Sequence, residues 1–472
     1  MHDLLLNKRG ISAPASHPLR LSVEKHKARL AAEFTKARLK RGYTSIDALR
    51  ASLQVDGADA KNGAHTANGA TGSAPARQWP HPRWVRVNTL KTNLDEQLKT
   101  TFASHKALNS LEILISSPRS PTEKVLHIDK HIPNLVALPA ATELSKTAPY
   151  LDGLIILQDK ASCFPAYLLD PKADEGGCLD ACAAPGNKTT HLAAIVNDSG
   201  SSKLKPIIYA CEKDQLRALT LKQMVRITGA GDCVTIKAGQ DFLRVNPDKP
   251  PWNEVRALLL DPSCSGSGII GRDEALRVVL PSRDNIITVP ANGSKKRKRR
   301  PQIDPTPVLG VKSKDVPMSE DKASDQLSVR LTALSTFQLK LLLHAFQFPG
   351  ARKIAYSTCS IYAQENEHVV MKALASSLAK EKGWRILWRT EQVSGMKAWE
   401  IRGDVQACKA ADSDNVEDVD HIGEACLRCE KGTNEGTQGF FVAAFVRDDD
   451  RRPVEKLVDE EWEGFSDAEC SG

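Results

Sequence analysis

The sequence predicts an α/β fold: a doubly wound sheet with a small α+β module ahead of it. Three observations carry that prediction. From about residue 151, short apolar strands alternate with amphipathic helices. A turn of small residues closes the first strong strand, and acidic residues stand at the ends of the strands that follow.

The elements are justified in chain order. Residues 1–51 read as a basic helical segment, in which Leu21, Lys25 and Arg29, then Leu30, Phe34 and Leu39, sit among good helix formers. Residues 52–78, rich in Ala, Gly, Asn and Thr, read as a linker. Residues 79–150 read as the small α+β module, with strand-like WVRVNTL and VLHIDKHIP around a helical LDEQLKTTF. In the main domain, 151–447, strands are expected at 178–182, 206–212, 233–239, 255–261, 352–358, 383–389 and 439–447. Helices are expected over TTHLAAIV, QLRALTLKQMVRIT and LSVRLTALSTFQLKLLLHAF; in the last, Leu327, Leu331, Leu334, Leu341, Leu342 and Ala345 form one stripe. Residues 281–325 and 403–437 are polar and read as insertions with little structure, and 448–472 is an acidic tail.

Composition narrows the function classes. With 472 residues, 41% hydrophobic and 26% charged, the chain is globular and long enough for about three folding units. It has neither an apolar run of membrane-spanning length nor a secretory pattern at MHDLLLNKRG, so a soluble intracellular protein is expected. Eleven cysteines, an odd number in a long chain without an export signal, predict reduced thiols rather than a disulfide framework. The net charge of +7 is unevenly placed. Residues 1–50 hold 11 Lys/Arg against 4 Asp/Glu, Lys295 to Arg300 form the run KKRKRR, and the tail from Asp448 holds 10 acidic residues against 3 basic. A polyanionic partner is expected to meet local basic segments, not a uniformly basic body.

Three motifs carry chemistry. In LDACAAPGNKTTHLAA (179–194) a strand runs into a turn containing Gly186 and then a helix, which lets backbone N–H groups approach a ligand closely. It is neither a phosphate loop nor GxGxxG. Glu212 ends the next strand, where a carboxylate at an open edge suits the hydroxyls of a ribose, and Asp241 ends the one after. A nucleoside-containing cofactor accounts for all three positions. LLLDPSCSGSG (258–268) places Asp261 and Cys264 past another strand end, and IAYSTCSIYAQENE (354–367) does the same with Cys359. A single such cysteine is ordinary packing; two beside a nucleoside site point to thiol chemistry.

The set ACAAPGNKT, DPSCSGSG and YSTCS, in that order, resembles the RNA cytosine-C5 methyltransferases of the Fmu/RsmB and Sun family. RWVRVNTLKT and LQDKASCFPA resemble that family's entry to its catalytic domain. KARLAAEFTKARLKRG resembles the eukaryotic subgroup that modifies large-subunit rRNA in the nucleolus, whose members carry further helical residues ahead of it. The resemblance implies a Rossmann-like class I methyltransferase sheet, S-adenosylmethionine as cofactor, large-subunit rRNA or the pre-ribosome as partner, and a nuclear, chiefly nucleolar, place; the run KKRKRR, set in a polar insertion, itself fits nuclear import or an RNA contact. The resemblance assigns the nucleophile to Cys359, product release to Cys264 and contact with the base edge to Asp261. It assigns the cofactor to Cys182, Ala183, Ala184, Pro185, Gly186, Asn187, Lys188, Glu212, Arg217, Asp241 and Asp261. No metal is implied. A DNA-type enzyme would instead attack through Cys264, an amino-group methyltransferase would carry NPPY-like residues in place of DPSC, and a binding factor with a retired site would not need both thiols.

Other conspicuous residues have plainer readings. CLRC at 426–429 lacks a second pair and is expected to pack; His191 and His344 are expected at helix core or edge positions. Gln338 is a polar residue inside an apolar stripe: it either satisfies a buried backbone group or faces the site.

Overall fold

The computed structural model describes residues 21, 24–40, 81–116, 123–140, 142–198, 207–269, 320–411, 416 and 418–447. The linker 52–78, the KKRKRR run and the acidic tail lie outside the described residues. The chain divides into two units, Met1–Gln78 and Trp79–Gly472. In the first, the helix Lys27–Lys40 half-buries Leu30 and Phe34, one turn apart, while Leu39 is exposed.

The second unit holds two sheets. The smaller consists of β1 (Arg83–Val87), β2 (Lys106–Ala107), β3 (Val125–Ile128), β4 (Leu135–Leu138) and β5 (Ile155–Leu157), in the order β2-β3-β4-β1-β5. Asn93 and Ser110 cap two of its short helices, Leu94–Lys99 and Leu111–Ile115, by accepting from backbone N–H groups that would otherwise lack partners. Because β5 pairs antiparallel with β1, the module runs through Leu157 and does not end at 150 as the sequence suggested. The strand pairing was not visible in so short an apolar run.

The larger sheet contains β6 (Gly177–Asp180), β7 (Ile208–Glu212), β8 (Val234–Ala238), β9 (Val255–Leu260), β10 (Lys353–Thr358), β11 (Trp384–Ile386), β12 (Leu427–Cys429) and β13 (Phe440–Arg447). Its order is β11-β13-β10-β9-β6-β7-β8, with β12 also paired to β13. Strands β10, β9, β6, β7 and β8 are mutually parallel, and β13 runs antiparallel to β10 and β11. Every predicted strand of this sheet is present within a few residues, and the doubly wound reading holds with one reversed strand.

The layers follow from alternation along the strands. On β9, Leu258 and Leu260 enter a core with Leu341, Phe346 and Phe348 of the long helix α4 (Glu320–Phe346) and its surroundings. Ala257 and Leu259 face the opposite core, shared with α1 (Lys160–Leu169), α2 (Asn187–Asp198) and α3 (Gln215–Thr228). Two covered faces explain why these strands read as continuous apolar runs. No helix among the described residues is long and apolar enough to cross a membrane.

One reading is corrected. The stretch 403–437 is not structureless: it forms helices Val405–Lys409 and Val419–Ala425 and strand β12. Cys408, Ile422, Ala425 and Cys426 are buried in the main core, and an acidic average composition concealed these few anchoring residues. Residues 320–325 of the other expected insertion open α4; residues 281–319 lie outside the described ones.

Buried polar contacts fix the small module to the larger sheet's layers. Lys160, 1% exposed, pairs with Asp129 at 2.7 Å and Glu435 at 3.0 Å, between the rings of Trp84 and Trp399. Arg86 on β1 is fully buried; its Nε donates to Gln158 at 2.8 Å and its Nη2 to Thr190 Oγ1, in the first turns of α2, at 3.1 Å.

Candidate active site

Strand order places the site. The chain builds β6, β7 and β8 outward in one direction, then returns to lay β9 on the other side of β6. In open α/β sheets a crevice for ligands forms at the carboxyl ends where the order reverses. Here the β6 end carries the turn Cys182–Lys188 and the β9 end carries Asp261 and Cys264, so both predicted motifs face one crevice.

The turn is tightly held. Gly186 has φ +113°, and a Cβ there would stand 3.1 Å from Leu221 and Met224 of α3, so glycine lets the turn lie close to that helix. Arg217 Nη2 donates to Ala184 O at 2.6 Å, and Glu212 Oε2 accepts from Ala184 N at 3.3 Å. Glu212 Oε1 also accepts from Asp214 N at 2.8 Å. The sequence reading placed Glu212 at an open edge; it does end β7, yet is only 3% exposed. Alanine there would strip the acceptor from two backbone N–H groups and disturb the turn along with any ligand. Asp241 follows β8, caps the turn Phe242–Arg244 and pairs with Lys213 at 2.8 Å. The Lys213 hydrogen bond holds its carboxyl below the usual range.

Asp180, the last residue of β6, is a buried carboxyl beneath the turn. It accepts from Thr189 Oγ1 at 2.7 Å and Cys182 N at 3.3 Å, and burial pushes its pKa up to about 6. Between an unfolded value near 3.8 and this folded value, the native state holds the extra proton, so stability falls as pH rises through that window. Two such pH units correspond to a penalty of up to about 3 kcal/mol, complete above pH 6. Asp180→Asn is therefore expected to gain on the wild type as pH rises from 4.5 to 7, measured by urea unfolding midpoints. A gap that does not change with pH would show that the carboxyl is already ionised in the folded protein across this range.

The two thiols meet. Asp261 and Cys359 immediately follow the parallel neighbours β9 and β10, and the Cys264 and Cys359 sulfurs lie 3.0 Å apart. The Cys264 loop is stitched to the Cys359 loop by Gly268 N donating to Cys359 O at 2.9 Å. A Cβ on Gly268 would fall 1.9 Å from Gly439 O, so no other residue allows that approach. Ser265, Ser267 and Ser360 hydroxyls form a closed triangle with sides of 3.1, 3.1 and 3.3 Å between the same loops.

Charge around the thiols is asymmetric. Lys188, 14% exposed, donates to Asp261 Oδ2 at 2.9 Å and Ser162 Oγ at 3.0 Å, and lies over the Phe440 ring. Burial alone would lower the Lys188 pKa; Asp261 beside it outweighs this and raises it. Ser357 Oγ donates to Asp261 Oδ1 at 2.6 Å, a partner the sequence reading missed inside YSTCS. The hydrogen bond from Cys264 draws the Cys359 thiol below its ordinary value, against burial, with Lys188 adding to the effect. The same contact, with burial, pushes the Cys264 thiol far upward. Of the two, Cys359 is therefore the thiol that ionises more readily. Cys182 is raised by burial and sits among carboxyl groups, which suits it to lining the site rather than to attack.

The plainer readings hold as well. Cys426 and Cys429 are buried and packed on either side of β12. His191 is buried on α2, and His344 packs edge-on against Phe242 and Phe348. Gln338, 0% exposed, donates to Ser263 O at 3.0 Å and Glu365 Oε1 at 2.9 Å: the backbone group it satisfies is itself part of the cysteine loop.

The chain is similar to known proteins along most of its length. Residues 166–295 match the family model described as 16S rRNA methyltransferase RsmB/F, and residues 81–158 match the ferredoxin-like domain of NOL1/NOP2/Sun domain family member 5. The 25S rRNA (cytosine-C(5))-methyltransferase rcm1 of Schizosaccharomyces pombe is 34% identical over 444 residues, covering 94% of this chain and 75% of that one. A 25S rRNA (cytosine-C(5))-methyltransferase of Arabidopsis thaliana is 34% identical over 78% of this chain and 49% of its own. The 28S rRNA (cytosine-C(5))-methyltransferase of Mus musculus is 32% identical over 79% of this chain and 64% of its own. With 34% identity over 94% of its length to one such enzyme and family matches in both modules, the chain belongs to the NOL1/NOP2/Sun family of rRNA cytosine-C5 methyltransferases.

Proposed function

We propose that this chain methylates C5 of a cytosine in large-subunit rRNA through a covalent adduct on Cys359. The observation that carries the reading is the pair of sulfurs 3.0 Å apart beside the Asp261–Lys188 ion pair, at the carboxyl ends of adjacent strands. The relatives' names, 25S and 28S rRNA methyltransferases, support the choice of RNA.

C5 of cytosine is a weak nucleophile. Addition of the Cys359 thiolate to C6 forms a carbon–sulfur bond and opens the C5–C6 double bond, whose electron pair moves to C5 as N3 takes up a proton from solvent and presents an N–H for an acceptor. Asp261 is the group for that edge of the base: Lys188 and Ser357 each occupy one of its oxygens, and each oxygen retains a further acceptor site. The 182–188 turn, with Glu212, Arg217 and Asp241 at the neighbouring strand ends, would hold S-adenosylmethionine, which when bound would offer an electrophilic methyl group for C5 and leave as S-adenosylhomocysteine. The donor set fits it, with carboxylates at the ends of β7 and β8 and a backbone turn at the end of β6. Loss of the C5 and N3 protons to solvent re-forms the C5–C6 double bond as the carbon–sulfur bond breaks, returning Cys359 as thiolate, with Cys264 assisting release. The base must leave its stack to reach two sulfurs that are only partly exposed.

The eukaryotic relatives and the KKRKRR run together support nuclear, chiefly nucleolar, residence. Mapping 5-methylcytosine in large-subunit rRNA from cells with and without the chain tests the function. One cytosine is expected to lose its methyl group when the chain is absent and regain it with the wild type but not with Cys359→Ala. An unaltered map would remove large-subunit rRNA as the substrate.

A further inference from the structure

Cys264 is gripped from both sides by one buried polar pair. The peptide carbonyl before it, Ser263 O, accepts from Gln338 Nε2 at 3.0 Å. The peptide N–H after it, Ser265 N, donates to Glu365 Oε1 at 2.9 Å. The second N–H of the Gln338 amide closes the arrangement on the same Glu365 oxygen at 2.9 Å. Both side chains are 0% exposed. They come from elements far apart in sequence, α4 and the turn six residues past Cys359.

This pair is expensive for a core. Glu365 Oε2 and Gln338 Oε1 are buried without a hydrogen-bond partner, and an unmet buried acceptor costs about 1–3 kcal/mol. An apolar pair of the same volume would pack the stripe on α4 without that cost. What an apolar pair cannot do is bond the two peptide groups flanking one cysteine. The serine triangle and Gly268 tie the loops to each other, but none of those bonds reaches the peptide groups on either side of Cys264.

We propose that Gln338 and Glu365 are positioning residues for product release, holding Cys264 at its working distance from the Cys359 sulfur. The proposal rests on the assignment of release to Cys264. The acceptor at Glu365 Oε1 does the gripping, so a neutral amide that keeps this oxygen serves as well as the carboxylate.

The test uses the full chain with substrate RNA and S-adenosylmethionine, reading the protein–RNA adduct on denaturing gels beside methyl transfer and S-adenosylhomocysteine affinity. Gln338→Met and Glu365→Ala are expected to transfer the methyl group, bind S-adenosylhomocysteine as the wild type does, and retain the adduct, with release slowed about a hundredfold, as for a displacement near 1 Å. Glu365→Gln is expected to release at nearly the wild-type rate. Wild-type release in Gln338→Met and Glu365→Ala would overturn the positioning role. Loss of S-adenosylhomocysteine binding in both would also overturn it, by making the pair a general core support. Cys264→Ala run in parallel separates the two levels: if it builds up no adduct, the assignment of release has failed, and if it does while Gln338→Met does not, only the positioning role has failed.

Discussion

Cys264→Ala protein, mixed with its RNA and S-adenosylmethionine, should accumulate as a protein–RNA adduct that survives denaturing electrophoresis. Attack and methyl transfer need only the Cys359 thiolate, and release is then left without its assisting thiol. Cys359→Ala should show neither adduct nor methylated product, a loss of about four orders of magnitude or more, as befits removal of a nucleophile. Both sulfurs could reach the same C6, being 3.0 Å apart, so position alone does not divide the work. The lower thiol of Cys359 and the raised one of Cys264 favour Cys359 for attack, and the gel decides between them. An adduct from Cys359→Ala and none from Cys264→Ala would reverse the roles and install the DNA-type mechanism.

The second large effect is expected at Lys188. It is the cation that compensates Asp261 and contributes to the lowering of the Cys359 thiol. Lys188→Met leaves Asp261 unopposed beside the sulfur, so the thiol must move upward and the thiolate become scarcer. Single-turnover methylation should fall about 10²- to 10³-fold near neutral pH, and the rising limb of its pH profile should move to higher pH. Asp261→Asn provides the opposite sign: the limb should move to lower pH, because a neighbouring negative charge is gone, while the plateau drops through loss of the base contact. A limb that stays in place in both variants would exclude the ion pair from activation of the nucleophile.

How much of this was legible beforehand depended on the kind of information involved. Strands such as β9 and β13 of the large sheet were readable because they are buried along most of their length and so are near-continuous apolar runs bounded by turns. The site was readable because a doubly wound sheet delivers its strand ends to one edge, where Cys264, Cys359, Glu212 and Asp241 could be found by position. What was not readable was pairing. Strand β5 is three residues long and belongs to a sheet whose other members precede it by up to seventy residues. The partners of Asp261 are Lys188 and Ser357, one before and one well after it. Gln338 could be marked as odd within its helix, but its meaning lay in Ser263 and Glu365, brought to it only by tertiary folding. The burial of Glu212 was missed because a strand end was equated with an exposed edge, whereas the neighbouring turn folds over it.

Arg86 and Lys160 have a consequence for how this enzyme can be dissected. Each is a buried cation whose partners belong to both modules: Arg86 leaves β1 to bond Thr190 on α2, and Lys160 leaves α1 to meet Asp129 after β3. A catalytic fragment without the small module would expose the apolar surface under Trp84 and leave the Lys160 ammonium without Asp129. The isolated module would in turn carry a guanidinium with no α2 to receive it. The boundary between the modules is thus a line in the topology but not in the thermodynamics, and the piece that a sequence comparison would detach as a ferredoxin-like domain is, energetically, one wall of the catalytic domain.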